Sequence, residues 1–490
     1  MIALTLLLNS TLLLNGALPN ASTAAPQESD YYTIETLVAP PGVQLEVGGI
    51  AFLPDGRPIV CTRRGYVYVV EGAYGPAEDV RYIEWAQGLQ EPLGLLVHGD
   101  WIYCTQRGEL SRMRDVDGDD RVDVIETLSD AWSISGNYHE YAFGPRMGPD
   151  GRLWITTNKP FGGEPFGRVD WRGYSLSFDL ETGEMTPVAC GLRSPAGIEA
   201  APWGDMFYTD NQGEWCGASK LSQIEAGDFH GHPYGTFSTK LEGWEYDVID
   251  NVPDGVLMPE MPAIIPSYKL PAVWFPYDKM GKSPAGMVWD QSDGKLGPFA
   301  GQLFVGDQFN AWVMRVSLEQ VNGHWQGACY RFRDEFLSGI TRVAQAADGS
   351  LFAGMTNRGW GSRGRGEFGL QRMRWTGKSP FEIHTMEAQP DGFLLNLTHP
   401  VDPGSVTPAS FRFESYTYEL HSAYGSAEMD RQTPTVTSVR VGDDGKSVHL
   451  VVEGLRLGYV HELHAAGLRS AKGLPLLHPE AYYTLINLPE

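Results

Sequence analysis

Gly191-Leu192-Arg193-Ser194-Pro195-Ala196-Gly197 opens the stretch on which the fold turns; an apolar run follows, then Tyr208-Thr209-Asp210-Asn211-Gln212-Gly213, and the stretch closes on Gly231-His232-Pro233. A loop carrying an Arg feeds a short strand, a turn at Gly204-Asp205 leads to a second strand, and that strand ends in a polar cluster. The plan recurs before it, at Ile50-Ala51-Phe52 with Asp55-Gly56, at Leu93-Gly94-Leu95 with Gly99-Asp100, and at Tyr141-Ala142-Phe143 with Asp150-Gly151. It recurs after it, at Ala285-Gly286-Met287 with Gly301-Gln302, and at Ile340-Thr341-Arg342-Val343 with Asp348-Gly349. A repeat of roughly 45–55 residues built from short strands and turns is the pattern of propeller blades. Six copies predict a six-bladed β-propeller over residues 32–377.

Composition agrees with an all-β class. The 490 residues include 58 Gly, 33 Pro, 14 Trp, 22 Tyr and 20 Phe, and few long stretches of helical period. Net charge is 37 − 61 = −24. Such a surface repels phosphate backbones and anionic lipid, so no nucleic-acid partner is expected. Residues 1–24 are Leu-rich and end in Ser22-Thr23-Ala24, which reads as a bacterial secretory signal, although no Lys or Arg precedes the apolar run. A secreted or periplasmic protein is expected. No other run approaches the ~18 apolar residues of a membrane span. Cys61, Cys104, Cys190, Cys216 and Cys329 show no metal or haem spacing, and an odd count leaves at least one unpaired. Cys61 and Cys104 occupy equivalent repeat positions and read as small buried apolar residues.

The repeat is broken once, at 234–281, by a Pro- and aromatic-rich insertion placed to roof the channel mouth or to pack as a surface excursion. From Lys378 it stops. Residues 385–490 alternate as in Phe393-Leu394-Leu395-Asn396-Leu397 and Ser447-Val448-His449-Leu450-Val451, a pattern expected of a small C-terminal β-sandwich that resembles bacterial immunoglobulin-like modules.

In a meander blade, successive loops alternate between two faces. The loop entering the first strand and the loop after the second strand share one face, and the Asp-Gly turns lie on the other. The shared face should collect Arg63, Arg107, His139, Asn158, Arg193, Ser194, Asp210, Asn211, Lys282, Asp307, Gln308 and Arg358. Loops on one end of a rigid scaffold commonly carry function.

Asp115-Val116-Asp117-Gly118-Asp119-Asp120-Arg121-Val122-Asp123 with Glu126 is the sharpest local motif. Carboxylates at positions 1, 3, 5, 9 and 12 match a calcium loop, with Arg121 offering its carbonyl at position 7. Asp120 stands where the usual Gly would, and so must take a left-handed conformation. The competing reading is an ion-free acidic turn.

The Arg193 loop, the Tyr208-Thr209-Asp210-Asn211 cluster, Gly227-Asp228-Phe229-His230-Gly231-His232-Pro233 and Ser283-Pro284-Ala285-Gly286 together resemble the soluble glucose/sorbosone dehydrogenases, quinoprotein six-bladed propellers. His139, ahead of Phe143-Gly144 and Pro149-Asp150-Gly151, stands where that family has its catalytic His. The resemblance implies pyrroloquinoline quinone with Ca2+, a sugar or glycan substrate and a separate electron acceptor. It makes His139 the base and Arg193 the cationic contact, with Asp210, Asn211, Lys282 and Arg358 around the cofactor. Ser194 replaces the family's Asn, and Asn158-Lys159 stands where an Asp would orient the base. These departures favour a second reading, a carbohydrate- or protein-binding propeller without the cofactor. A third is a metal-centred lactonase-type hydrolase, with Glu140, Asn158, Asp210 and Asp307 as candidate ligands.

Overall fold

Each repeat has, in or just before its first strand, a residue without a side chain whose backbone is met closely by other main chain. A Cβ on Gly94 would lie 1.6 Å from the Gly144 carbonyl oxygen, and one on Gly286 would lie 2.7 Å from the Arg342 Cα. These first strands are Val47–Phe52, Leu95–His98, Ala142–Met147, Pro195–Ala200, Pro284–Trp289 and Ile340–Gln345. Each packs on the next, and the last packs on the first, which closes a ring. The computed structural model describes residues 25–161 and 168–490. The expected leader at 1–24 lies outside them.

Each first strand starts an antiparallel sheet, and the structure is an all-β propeller. The second strands, among them Pro58–Thr62, Leu153–Thr157, Met206–Asp210 and Leu303–Asp307, are buried along their whole length between neighbouring sheets. That explains their continuous apolar runs in place of strict alternation. Tyr32–Thr36 pairs with Phe368–Trp375, so the sixth sheet is completed by the start of the described chain. The fourth sheet takes its outer strand, Val273–Phe275, from within the insertion. The insertion builds a sheet edge, its Val256–Leu257 pairs with Glu419–Leu420, and Tyr277 and Asp278 near its end contact Lys282.

The tail is anchored on the fifth sheet. Glu480–Leu485 pairs with His324–Arg333, and the sheet continues through Tyr459–His464, Arg412–Thr417 and Met429–Gln432. A separate sheet of Ile383–Gln389, Gly392–Leu397, Ser447–Glu453 and Thr435–Val441 faces it. Phe393, Leu395, Val448 and Leu450 from one sheet meet Phe413, Leu463 and Tyr483 from the other in a shared core. His478, between Glu382 (2.6 Å) and Glu28 (2.8 Å), ties this unit to the N-terminal segment. All five cysteines are free and buried, Cys61 and Cys104 included.

Candidate active site

The loops of one face surround a cavity of about 390 Å³ over the ring's centre. Its floor is Arg342. This buried side chain crosses the channel, and its Nη1 and Nη2 donate to the carbonyls of Ala196 (2.9 Å) and Leu93 (2.8 Å) from two other sheets. Burial pulls its pKa down to about 9. The guanidinium also lies 4.7 Å from the centre of the Phe143 ring. The channel is plugged rather than open.

His139 stands in the wall. Its Nδ1 lies 2.7 Å from the Lys159 carbonyl oxygen, which accepts only, so Nδ1 carries the proton. Nε2 is therefore the free base, and the Ser194 hydroxyl donates to it at 3.0 Å. The ring stacks on Phe161 at 3.4 Å. Burial holds the imidazole well below its ordinary pKa, against the Lys159 carbonyl bond and with help from the Arg193 and Lys159 charges. The partner of Nδ1 is thus a main-chain oxygen 20 residues on, which no side-chain motif reveals.

Arg193 faces the same cavity. Its Nε donates to Glu214 at 2.9 Å, while the guanidinium packs over Phe161 (4.8 Å) and Tyr424 (5.2 Å). Among the described residues no hydrogen bond engages its two Nη groups. Lys159 reaches the same Glu214 oxygen at 3.5 Å. Burial works to raise the Glu214 carboxyl, but Arg193 and Lys159 outweigh it and hold it low.

Asp210 stands behind this wall. It accepts from the amides of Arg193 (3.0 Å), Ser194 (2.7 Å) and Asn211 (2.9 Å), and so shapes the loop that presents them. Asp307 does the same one sheet on, for Lys282 (2.7 Å), Ser283 (2.9 Å) and Asn310 (2.7 Å). The repeat thus uses a strand-end carboxylate as a clamp for the preceding loop. Asn211, Lys282 and Arg358 line the cavity as expected. Lys282 pairs with Asp278 at 2.9 Å and Arg358 with Glu46 at 3.2 Å. Arg63, also in the wall, is held by Glu91 at 2.6 Å. Asn158 Oδ1 and Asn211 Oδ1 are buried without a hydrogen-bond partner. Sequence reading missed Phe161, Glu214 and Arg342 from the propeller, and Tyr424 from the tail. The half-exposed rings of Tyr138, Trp360 and Tyr424 complete the rim.

The lactonase-type ligand set does not form. Glu140 turns away to the Ser135 and Gly136 amides (2.8 and 3.1 Å), and Asp210 and Asp307 are spent on loop amides.

The acidic loop lies on the opposite face. Asp115, Asp117 and Asp123 bring their carboxylates within 4.8 Å of one another, and among the described residues no other group of His, Cys, Asp or Glu does so. Asp120 has φ 63°, the left-handed conformation its position requires. Its side chain is bound bidentately by Arg57 (2.8 and 2.9 Å), which ties the loop to the neighbouring sheet. Glu126 does not join the group: it sits on the following strand and pairs with Arg112 at 2.8 Å.

A family model described as a domain of unknown function (DUF7133) matches residues 81–233, the segment that carries His139, Arg193 and Asp210. No curated protein matches the sequence. Among solved structures, a carbohydrate-active enzyme of family AA12 from Trichoderma reesei matches at 12% identity and TM-score 0.50, over 72% of this chain and 98% of that one. The PQQ-bound aldose sugar dehydrogenase of Streptomyces coelicolor matches at 16% identity and TM-score 0.48, over 72% and 100%. The holo PQQ domain of pyranose dehydrogenase from Coprinopsis cinerea matches at 12% and 0.47, over 72% and 99%. At 12% identity the likeness to the Trichoderma reesei enzyme is one of fold alone.

Proposed function

We propose that this chain is a secreted or periplasmic six-bladed propeller, with a C-terminal β-sandwich, that oxidises a sugar or glycan hydroxyl with pyrroloquinoline quinone and passes the electrons to a separate acceptor. One observation carries the reading. His139 presents an unprotonated Nε2 to the cavity, with a hydroxyl already seated on it at 3.0 Å. A substrate hydroxyl that replaces Ser194 there gives its proton to Nε2, and the Lys159 carbonyl steadies the imidazolium that forms.

The residues present fit the quinone. The unengaged Nη pair of Arg193 suits a carboxylate or a quinone oxygen, Lys282 and Arg358 add cationic contacts, and the orphaned Asn158 and Asn211 oxygens await donors. When bound, the quinone would supply the two-electron acceptor. Phe161 and Arg342 close the site from the sides and below, keeping water from the base. Ca2+ would be a structural ion held by Asp115, Asp117 and Asp123, with the Arg121 carbonyl as a further oxygen, while Asp119, like Glu126, lies outside that carboxylate group.

The test is calorimetric titration with pyrroloquinoline quinone in calcium, then dye reduction against a sugar panel, for the parent and His139→Ala. One-to-one binding with His139-dependent, sugar-dependent reduction supports the reading. Sugar binding without quinone binding leaves a non-catalytic binding propeller. A second reading rests on the Ser194–His139 hydrogen bond: the serine hydroxyl, activated by that base, attacks an ester. Ser194→Ala separates the two, since it removes a nucleophile from a hydrolase but only unseats a competitor from a dehydrogenase's base.

A further inference from the structure

A second cavity, of about 580 Å³, opens between the fifth and sixth sheets, where the loops after their second strands emerge on the face that carries the candidate active site. Phe309 links the two cavities. Lys282 of the first lies 4.2 Å from its ring centre, and Arg363 of the second lies 5.6 Å from it.

The protein leaves the floor of this cavity unsatisfied. Asn310 is 2% exposed, yet neither its side-chain oxygen nor its nitrogen has a hydrogen-bond partner, and the buried Trp312 indole N–H beside it has none either. Each buried polar group left unpaired costs about 1–3 kcal/mol, so native proteins rarely keep several together. Two non-glycine residues in the same lining hold left-handed backbone, Ala311 at φ 58° and Glu335 at φ 65°. At the rim Arg363 and Arg365 are exposed and hold no ion pair among the described residues, although acidic side chains outnumber basic ones 61 to 37. Asp334 and Glu335 supply acceptors across from them.

Donors and acceptors are therefore interleaved around one amide that offers both. An anion would meet Asp334 and Glu335. A sugar hydroxyl, which donates and accepts at once, satisfies both kinds. We propose that this cavity is a second saccharide subsite: it takes a neutral sugar unit of an oligosaccharide whose end lies on His139. The inference rests on the sugar-oxidising reading of the first cavity and narrows its substrate to an oligosaccharide.

The experiment is calorimetric titration of the full chain with malto-, cello- and chitotetraose, their monosaccharides and inorganic phosphate. The parent is compared with Asn310→Leu and with the double variant Arg363→Ala/Arg365→Ala. The expected result is that at least one tetrasaccharide binds about tenfold more tightly than its monosaccharide, and that both variants erase this gain. Should Asn310→Leu fail to fold, the double variant decides, since both arginines are exposed. The proposal is overturned by a parent with no tetrasaccharide gain, by a gain that survives the variants, or by phosphate binding that the double variant abolishes. Variant-sensitive tetrasaccharide binding without quinone-dependent dye reduction keeps the subsite and removes the dehydrogenase. Dye reduction without the gain does the reverse.

Discussion

Replacing Asp210 by Ala probes how the site is held. The carboxylate is buried and accepts three backbone amides at 2.7–3.0 Å, two of which belong to Arg193 and Ser194. A hydrogen bond to a charged group contributes about 1.5–3 kcal/mol. Burial takes part of that back, as the upward pull on the Asp210 pKa records. The three amides then lose their partner, and a net loss of about 3–5 kcal/mol is expected. At about 2.1 cal/mol/K per residue, a propeller of about 350 residues unfolds with roughly 0.7 kcal/mol/K, so Tm should fall by roughly 4–7 °C. Asp307→Ala is the matched control, with the same three-amide geometry one sheet on. Scanning calorimetry should show similar losses for both variants, whereas quinone titration should suffer more in Asp210→Ala, whose loop carries Arg193 and faces His139. A Tm shift under about 1 °C in Asp210→Ala would refute the clamp, and equal effects of the two variants on quinone affinity would refute its link to the site.

His139 stays neutral far into acid, so the pH profile of kcat/KM should show no acidic fall near its ordinary pKa of 6.5; a limb at 6–7 that His139→Gln removes would show that burial does not control this base. His478 has its pKa raised from 6.5 to about 9, by Glu382 and then Glu28 against its burial. A raised folded pKa gives stability that is whole below pH 6.5 and is lost as pH rises through about 9. The parent should therefore lose about 2–3 kcal/mol of stability between pH 6.5 and 10, and His478→Gln, measured by denaturant unfolding, should lose much less. Terbium luminescence should report an ion at the acidic loop that Asp117→Asn weakens about tenfold and Glu126→Gln leaves in place; equal effects of the two would restore Glu126 to the ligand set. Tyr424→Ala should raise KM for sugar about three- to tenfold in steady-state assays, with folding unchanged because the ring is half exposed.

Much of the site was legible because its parts sit at fixed offsets within a repeat. His139, Arg193, Asn211, Lys282 and Arg358 all follow from knowing which loops share a face, and the cavity gathers them. Asp210 was legible as a member of the cluster, but not as a clamp, because the amides it binds have no side-chain signature. Glu126 fits the calcium spacing by number, yet the following strand pairs it with Arg112. Spacing within a loop predicts ligands only while the chain keeps wrapping, and here it straightens into a strand three residues early.

By itself the sequence determined the propeller repeat and which loops share a face, since turn residues, apolar runs and loop polarity are local properties that strand geometry converts directly into position. Only the tertiary structure decided which atoms remain available. It gave His139 a main-chain carbonyl as its Nδ1 partner, set Phe161 against its ring, plugged the channel with Arg342 and brought Tyr424 from the tail to the rim. Those choices depend on ring closure and on the tail docking against the fifth sheet, contacts between residues hundreds of positions apart that no local pattern encodes.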